Sequence, residues 1–230
     1  MGSEMCIRDR IMMCALWVSI SQAQTNNLNQ VRQLISSFES QKDNSLLEEA
    51  LEKLSDLATS KGFQPNAASS LLNAQVRTLM LKHMEIDDPL SLSSEIKENF
   101  GQALSLDQDK AWRDPIHQSL YTAKIQMAEM GNKSYEDEDF KSAHAHYQNA
   151  VNMNSLEVAY PRYIQQDTTL MYTTAVFASL ADKKAEAIAG FEELVRMDYS
   201  RKDIFDYLIR LYREENMEEK AVLMLSLIHI

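Results

Sequence analysis

The chain contains very few cysteines, so little thiol chemistry is available to it. Its 230 residues include only 2 cysteines, Cys6 and Cys14, and both lie close to the N-terminus. Residues 11–23 are interpreted below as the remnant of a signal peptide, and its cleavage after Ala23 would leave a mature protein without cysteine. Disulfide bonds, thiolate metal sites and cysteine nucleophiles are therefore excluded for that mature protein.

Glycine and proline are also scarce, at 5 and 4 residues. These residues favour turns and interrupt helices, whereas the abundant Ala, Leu, Met, Glu and Lys favour helix. Hydrophobic residues make up 45% of the chain and charged residues 25%, as in ordinary folded proteins. No stretch alternates with the period of two that is typical of a strand. The sequence therefore predicts an all-α protein.

Basic residues are outnumbered, with 23 Lys and Arg against 34 Asp and Glu, and the formal net charge is -11. An acidic surface repels phosphate groups, which disfavours nucleic acid and anionic membranes as partners. The sequence contains no Gly-rich phosphate loop, G-x-S-x-G or H-E-x-x-H motif. We expect a protein that is not an enzyme, has no cofactor or metal, and binds a protein or peptide partner.

The two ends of the chain resemble a sequencing artefact. MGSEMCIRDR opens the chain and LSLIHI closes it, and codons for the closing segment encode MCIRD when read on the opposite strand. Both ends are similar to the transposon-end adapter used in tagmentation sequencing. Residues 1–10 and 225–230 are interpreted as adapter-derived and are excluded from fold reasoning. The underlying gene is expected to be cut at both ends.

Residues 11–23 are typical of an export signal. The compact apolar run IMMCALWVSI precedes the small-x-small pattern SQA, which ends just before Gln24. The run is shorter than the roughly 20 apolar residues of a membrane-spanning helix. We interpret it as a signal-peptide remnant without its basic region, so the mature protein would begin at Gln24. It would be periplasmic or extracellular, without stable membrane insertion. A buried first helix is the alternative.

From Leu28 onward, apolar residues recur at steps of three and four, which is the period of an amphipathic helix. Breaks at residues 62–66, 87–89 and 107–115 divide this region into helical segments. The connections are short, as between antiparallel helix neighbours. Residues 24–123 are thus predicted to form helix pairs.

A pattern of small and aromatic residues occupies residues 124–157. Small residues stand where two helices must touch, and aromatic residues where the gap between them must be filled: Gly131, Tyr135, Ala143, Tyr147 and Ala150. This spacing resembles the tetratricopeptide repeat (TPR). Ser134 and Ser155 depart from the family pattern, which has an aromatic residue and a proline at those positions.

Two further copies of the pattern follow, at residues 168–201 and, incompletely, at residues 202–224. Ala187 and Ala221 occupy the position of Ala143, and they are 34 residues apart, which is the TPR period. Ala143 and Ala187 are 44 residues apart, so about ten extra residues lie between the first two copies. Residues 24–123 contain degenerate pairs of the same kind.

The TPR resemblance implies antiparallel helix pairs stacked as a right-handed solenoid, truncated at its C-terminal end. In that family the first helix of each pair lines a concave face that binds a protein or peptide. Carried over by position, Asn132 and Arg210 would contact the ligand, since amide and guanidinium groups can hold a backbone or a carboxylate. The lysine of the family's chaperone-tail clamp is replaced by Ala128, Tyr172 and Asp206, so no such clamp is expected. Simple solvated polar side chains are the alternative.

Other features are expected to be structural. His144 and His146 are two residues apart on a predicted helix and point to different sides, so we expect packed or solvated side chains and no shared metal. The acidic run at residues 136–139 lacks the glycine and ligand spacing of an EF-hand and is expected to be a solvated turn. The incomplete last pair predicts reduced burial of Phe205, Leu208 and Tyr212.

Two alternatives to an exported TPR scaffold stay open. The chain could be the TPR sensor portion of a longer, membrane-bound signalling protein that is cut off downstream. It could also be an enzyme on a helical toroid, which would require catalytic acids in a central cavity. A transmembrane segment in the downstream gene would favour the first of these, and an open superhelix would exclude the second.

Overall fold

The computed structural model describes residue 22 and residues 24–157, 167–199 and 201–228. The interpretations of residues 1–10 and of nearly all of residues 11–23 fall outside this part of the chain. Most of the extra stretch before the second repeat, at residues 158–166, also lies outside it.

The described residues contain helices, turns and irregular connections but no strand, which confirms the all-α prediction. The helices are α1 (24–41), α2 (Ser45–Thr59), α3 (Ala67–His83), α4 (Pro89–Leu106), α5 (Arg113–Glu136), α6 (Phe140–Asn152), α7 (Asn154–Glu157), α8 (Thr168–Leu180), α9 (Lys184–Arg196), α10 (Lys202–Glu214) and α11 (Glu218–Ile228). The chain divides into two compact units, with the boundary between Leu120 and Tyr121.

In the first unit, α3 packs against both α2 and α4. The starts of its helices are specified by local chemistry. Asn66 and Ser69 form a reciprocal capping box at α3, and the Asp88 side chain accepts a hydrogen bond from the backbone N–H of Ser91, with Pro89 in the first turn of α4. Helices α1 to α3 share an apolar core of Leu28, Val31, Ala50, Leu54, Leu57, Ala68, Leu72 and Val76.

In the second unit, neighbouring helices pack as α6 on α8, α8 on α9, α9 on α10 and α10 on α11. One buried cluster joins the last four of these helices: Ala175, Ala178, Ala187, Ile188, Phe191, Leu194, Ile204, Leu208, Leu211, Tyr212 and Ala221. Ala187 and Ala221, which the sequence places at equivalent small positions, are both buried in it.

Four turns within this unit have the same geometry. One of them, at Asp198 with φ 57°, joins α9 to α10, and there the Tyr199 N–H donates to the Leu194 carbonyl oxygen at 3.0 Å. The other three lie between the two helices of a predicted pair. Glu138, Asp182 and Asn216 have φ values of 60°, 58° and 59°. After each of them, a backbone N–H donates to the carbonyl oxygen five residues earlier, at 2.7–2.8 Å: Asp139 to Ser134, Lys183 to Ala178 and Met217 to Tyr212. The turns are spaced by 44 and 34 residues, as the sequence predicts. The pairs α5–α6, α8–α9 and α10–α11 are therefore consistent with a helical repeat.

The prediction of reduced burial in the last pair is wrong for two of its three residues. Leu208 is 0% exposed and Tyr212 is 1% exposed, whereas Phe205 is partly buried. Helix α11 continues to Ile228 and packs against α10, and Ala221 of α11 joins the same buried cluster. The helix that the sequence reasoning took as incomplete is long enough to cover Leu208 and Tyr212.

Candidate functional site

The first helices of the three pairs, α5, α8 and α10, contact one another in sequence. The ring centroids of Tyr135 and Phe177 lie 5.2 Å apart and join α5 to α8. Arg210 of α10 donates from Nη2 to the Ser179 hydroxyl of α8 at 3.3 Å. Helix α8 therefore lies between α5 and α10, and the two sequence-predicted contacts, Asn132 and Arg210, stand on the outer two of these helices.

Asn132 is exposed on α5, but its side-chain carbonyl has a structural partner. The Tyr147 hydroxyl of α6 donates to Asn132 Oδ1 at 2.7 Å. Burial raises the pKa of Tyr147, although the bond to Asn132 opposes this, so the phenol stays a donor at neutral pH. Asn132 thus links the two helices of its pair and leaves an amide NH2 group on an exposed side chain.

Arg210 is held only loosely. Its Nε lies 4.0 Å from Glu214 Oε1, its guanidinium carbon lies 5.1 Å from the Tyr207 ring centroid, and its side chain is 57% exposed. Such exposed, long-range pairs contribute little stability. The guanidinium can therefore exchange its contacts for a ligand carboxylate or carbonyl at small cost.

Sequence reasoning missed two exposed apolar side chains on α5, Tyr121 and Ile125, which form a row with Tyr135, an aromatic residue of the repeat pattern. Tyr121, Ile125 and Tyr135 are 58%, 44% and 46% exposed. With Asn132 between Ile125 and Tyr135, the spacings of four, seven and three residues place all four on one side of the helix. The signal for Tyr121 and Ile125 was available, because both are large apolar residues at a helical period outside the repeat pattern. Tyr135 also contacts α6, since its ring centroid lies 5.9 Å from that of Phe140.

Tyr172, which replaces a clamp lysine, is fixed in a local network. Its hydroxyl donates to Asp203 Oδ2 at 2.5 Å, and the Arg201 guanidinium carbon lies 4.1 Å from its ring centroid. Burial and the Asp203 bond raise the pKa of Tyr172. Burial opposes ionisation of Asp203, but bonds from Tyr172 and Arg201 lower its pKa overall. This network joins α8 to α10 and makes Tyr172 part of the scaffold.

The acidic run lies at the α5–α6 turn, as expected. Residues 136–139 are exposed, and the Asp139 side chain accepts a hydrogen bond from the backbone N–H of Ser142 at 3.1 Å. Hydrogen bonds from Ser142 lower the pKa of Asp139. The run therefore caps α6.

Within the described residues, no group of three or more His, Cys, Asp or Glu side chains could hold a metal ion.

His144 and His146 are packed inside the second unit, each 1% exposed. Both nitrogens of His144 and the Nδ1 of His146 have no hydrogen-bond partner among the described residues. His144 Nε2 lies 3.5 Å from Glu186 Oε2, which is within ion-pair range but too long for a good hydrogen bond. The two imidazoles are therefore buried in their neutral form.

We expect acid to destabilise the second unit through these histidines. Burial lowers the pKa of His144, and the nearby charge of Lys183 lowers it further, whereas Glu186 acts in the opposite direction. Burial also lowers the pKa of His146, and Asp139 opposes that shift. Unfolded imidazoles titrate near pH 6.5, so below about that pH the unfolded chain binds protons that the folded chain does not. The contribution of the two neutral histidines to the free energy of unfolding should be complete above about pH 6.5 and should decline as the pH falls.

Urea denaturation at about pH 7.5 and 5.5 measures this effect, with the His144→Leu/His146→Leu variant as the control. The double variant should lose less stability between the two pH values than the parent. Equal losses would show that the acid sensitivity comes from other groups.

No described helix is long and apolar enough to span a membrane. Comparison of the chain with protein-family models and with curated proteins finds no match.

Proposed function

We propose that the second unit is a TPR-type stack of helix pairs, and that this stacking extends through the chain as a right-handed solenoid. The three turns that lie within helix pairs support the proposal, because their spacings of 44 and 34 residues reproduce the sequence repeat. The successive contacts of α5, α8 and α10 also support it, since stacked pairs bring their first helices side by side.

We further propose that the protein is a non-catalytic scaffold that binds a protein or peptide segment across α5, α8 and α10. The observation that carries this function is the exposed row of Tyr121, Ile125 and Tyr135. Burying a large apolar side chain contributes about 1.5–3 kcal/mol, so three such contacts supply a large share of the roughly 8 kcal/mol that micromolar binding requires. The export signal expected at residues 11–23 places this binding in the cell envelope.

The ligand would be an extended or helical segment with apolar side chains directed at α5. The amide of Asn132 would bind its backbone, and Arg210 would bind a backbone carbonyl or a carboxylate. The row of apolar residues contributes affinity by excluding water, whereas the polar pair fixes the register of the segment.

A peptide selected against the full chain from a random phage-display library tests this proposal by isothermal titration calorimetry. Ile125→Glu should weaken binding about tenfold or more, because a charge would replace apolar contact at the interface. Arg210→Ala should weaken it less. Val222→Glu is a matched control, since Val222 is also exposed, at 63%, but lies on α11, outside the three helices of the proposed site. Equal affinities for the parent chain and Ile125→Glu would contradict a site on α5.

A further inference from the structure

Two helices of the first unit leave an open cleft on its surface. The cleft has a volume of about 580 Å³ and lies between α2 and α3. It is remote in sequence from residues 1–10 and 225–230, and none of its residues belongs to the site proposed on α5, α8 and α10. We name it the α2–α3 cleft and define it by six lining residues: Glu48, Leu51, Glu52, Ser55, Arg77 and Met80.

The floor of the cleft is apolar and incompletely covered. Leu54 lies at its base and is 2% exposed, as a member of the core of the first unit. Leu51 of α2 and Met80 of α3 pack on the same core but are only partly buried. The apolar surface between the two helices is therefore continuous with the core, and an apolar side chain placed there would be removed from water.

The α2 edge of the cleft is acidic. Glu48 and Glu52 are four residues apart, so their carboxylates lie on the same side of α2 and repel each other. Asp56, four residues further along, is also exposed on this side. The one lysine of α2, Lys53, is paired instead with Glu49, at 3.5 Å. A cation from outside would relieve the repulsion along this edge.

The α3 edge contains a cation whose charge is already balanced. Arg77 Nε lies 2.9 Å from Glu95 Oε2 of α4, and Arg77 Nη1 donates to Asn73 Oδ1 at 2.7 Å. The Arg77 side chain is 18% exposed, so these contacts hold it against the helices. Within the described part of the chain, Glu48 and Glu52 thus have no ion-pair partner, and the cleft combines two carboxylates with an apolar floor.

We infer that the α2–α3 cleft binds a basic, amphipathic helical segment of a partner protein. The apolar side chains of the segment lie on Leu51 and Met80, and its lysine or arginine side chains pair with Glu48 and Glu52. Since the two carboxylates are one helical turn apart, they match cations four residues apart on a partner helix. The α2 lining extends from Glu48 to Ala58, or about 15 Å, which accommodates about three turns.

Charge decides between the occupants of this cleft. A second copy of the chain has a net charge of -11 and would be repelled from the acidic edge, as would a nucleic acid, whereas a basic segment is attracted. This association goes beyond the peptide binding proposed on α5, and the two can fail independently.

Isothermal titration calorimetry with a synthetic helical peptide of leucine and lysine, about 14 residues or 21 Å long, tests the inference. The full chain with Ile125→Glu is the host, so that the exposed row on α5 contributes little binding. Adding Glu48→Gln/Glu52→Gln should weaken binding about tenfold, because both charge pairs are lost. Adding Glu218→Gln/Glu219→Gln instead is the matched control. It removes the same charge from exposed positions on α11 and should change the affinity less than about twofold.

A second pair of variants adds a charge instead of removing one. Ser55→Arg should also weaken binding about tenfold, because the new guanidinium lies three residues from Glu52, pairs with it and repels the lysines of the peptide. Ser36→Arg is its control, since Ser36 is likewise an exposed helical serine but lies on α1, outside the cleft.

A peptide with alanine in place of leucine tests the apolar floor and should bind at least about tenfold more weakly. Four results would each overturn the inference. These are no binding of the leucine–lysine peptide to the host, equal weakening by the two glutamine pairs, unchanged binding to the Ser55→Arg variant, and equal binding of the alanine peptide. Equal weakening by the two glutamine pairs would mean non-specific attraction to the acidic surface.

Discussion

Gly131→Ala is expected to destabilise the second unit by about 1–3 kcal/mol, although alanine is the better helix former. An added Cβ at Gly131 would lie 2.4 Å from Tyr147 Cδ2 and 3.3 Å from the Ala143 carbonyl oxygen. Helix propensity alone would favour alanine by about 0.8–1 kcal/mol, so a net loss requires that the contact costs more than this gain.

The Tyr147 ring cannot move aside at low cost. Its hydroxyl is bonded to Asn132, and its ring centroid lies 4.9 Å from that of Phe177. Rotation away from position 131 would break the hydrogen bond and disturb the contact between α6 and α8. The cost should therefore appear as lost stability of the helix pair.

Urea denaturation followed by circular dichroism measures the loss, with two comparisons. Gly190→Ala should also lose stability, because its added Cβ would lie 2.9 Å from the Ala175 Cβ, which can move only together with its backbone. In a Tyr147→Leu background the cost of Gly131→Ala should fall, since the obstructing ring is gone. An unchanged cost in that background would show that the ring is not the cause.

The helical class and the breaks between helices could be predicted because they depend on local patterns. The break at residues 62–66 separates α2 from α3, and α4 begins at Pro89, as the sequence indicates. The small positions were also predictable, since Gly131 and Ala143 lie where two helices touch. Local periodicity and side-chain size are sufficient for these features.

Features that depend on the next helix were less predictable. Pairing of Asn132 with the Tyr147 hydroxyl is a tertiary contact over fifteen residues, and spacing alone does not show whether a polar side chain is already engaged. Burial of Leu208 and Tyr212 depended on the actual extent of α11. The close approach of Gly190 to Ala175 was missed because the family pattern directed attention to Ala175 alone.

Glycine at the three left-handed positions between paired helices is expected to stabilise the fold. Positive φ costs an L residue about 1–2 kcal/mol, part of which the greater chain entropy of unfolded glycine offsets. Glu138→Gly should therefore gain about 0.5–1 kcal/mol. Asp182→Gly and Asn216→Gly should gain less, since Asp and Asn tolerate this conformation better than Glu. Lys141→Gly is the control, because Lys141 is exposed within α6 and should lose about 1 kcal/mol.

The free energy of unfolding of the Glu138→Gly/Asp182→Gly/Asn216→Gly variant tests most directly whether the three helix pairs share the same left-handed turn. If the three turns are equivalent, no single substitution should destabilise the chain. The small gains should also add, because the turns are separate in sequence and structure. A loss of about 1 kcal/mol at any one position, like that expected for Lys141→Gly, would mean that its turn is not left-handed and that the repeat is broken there.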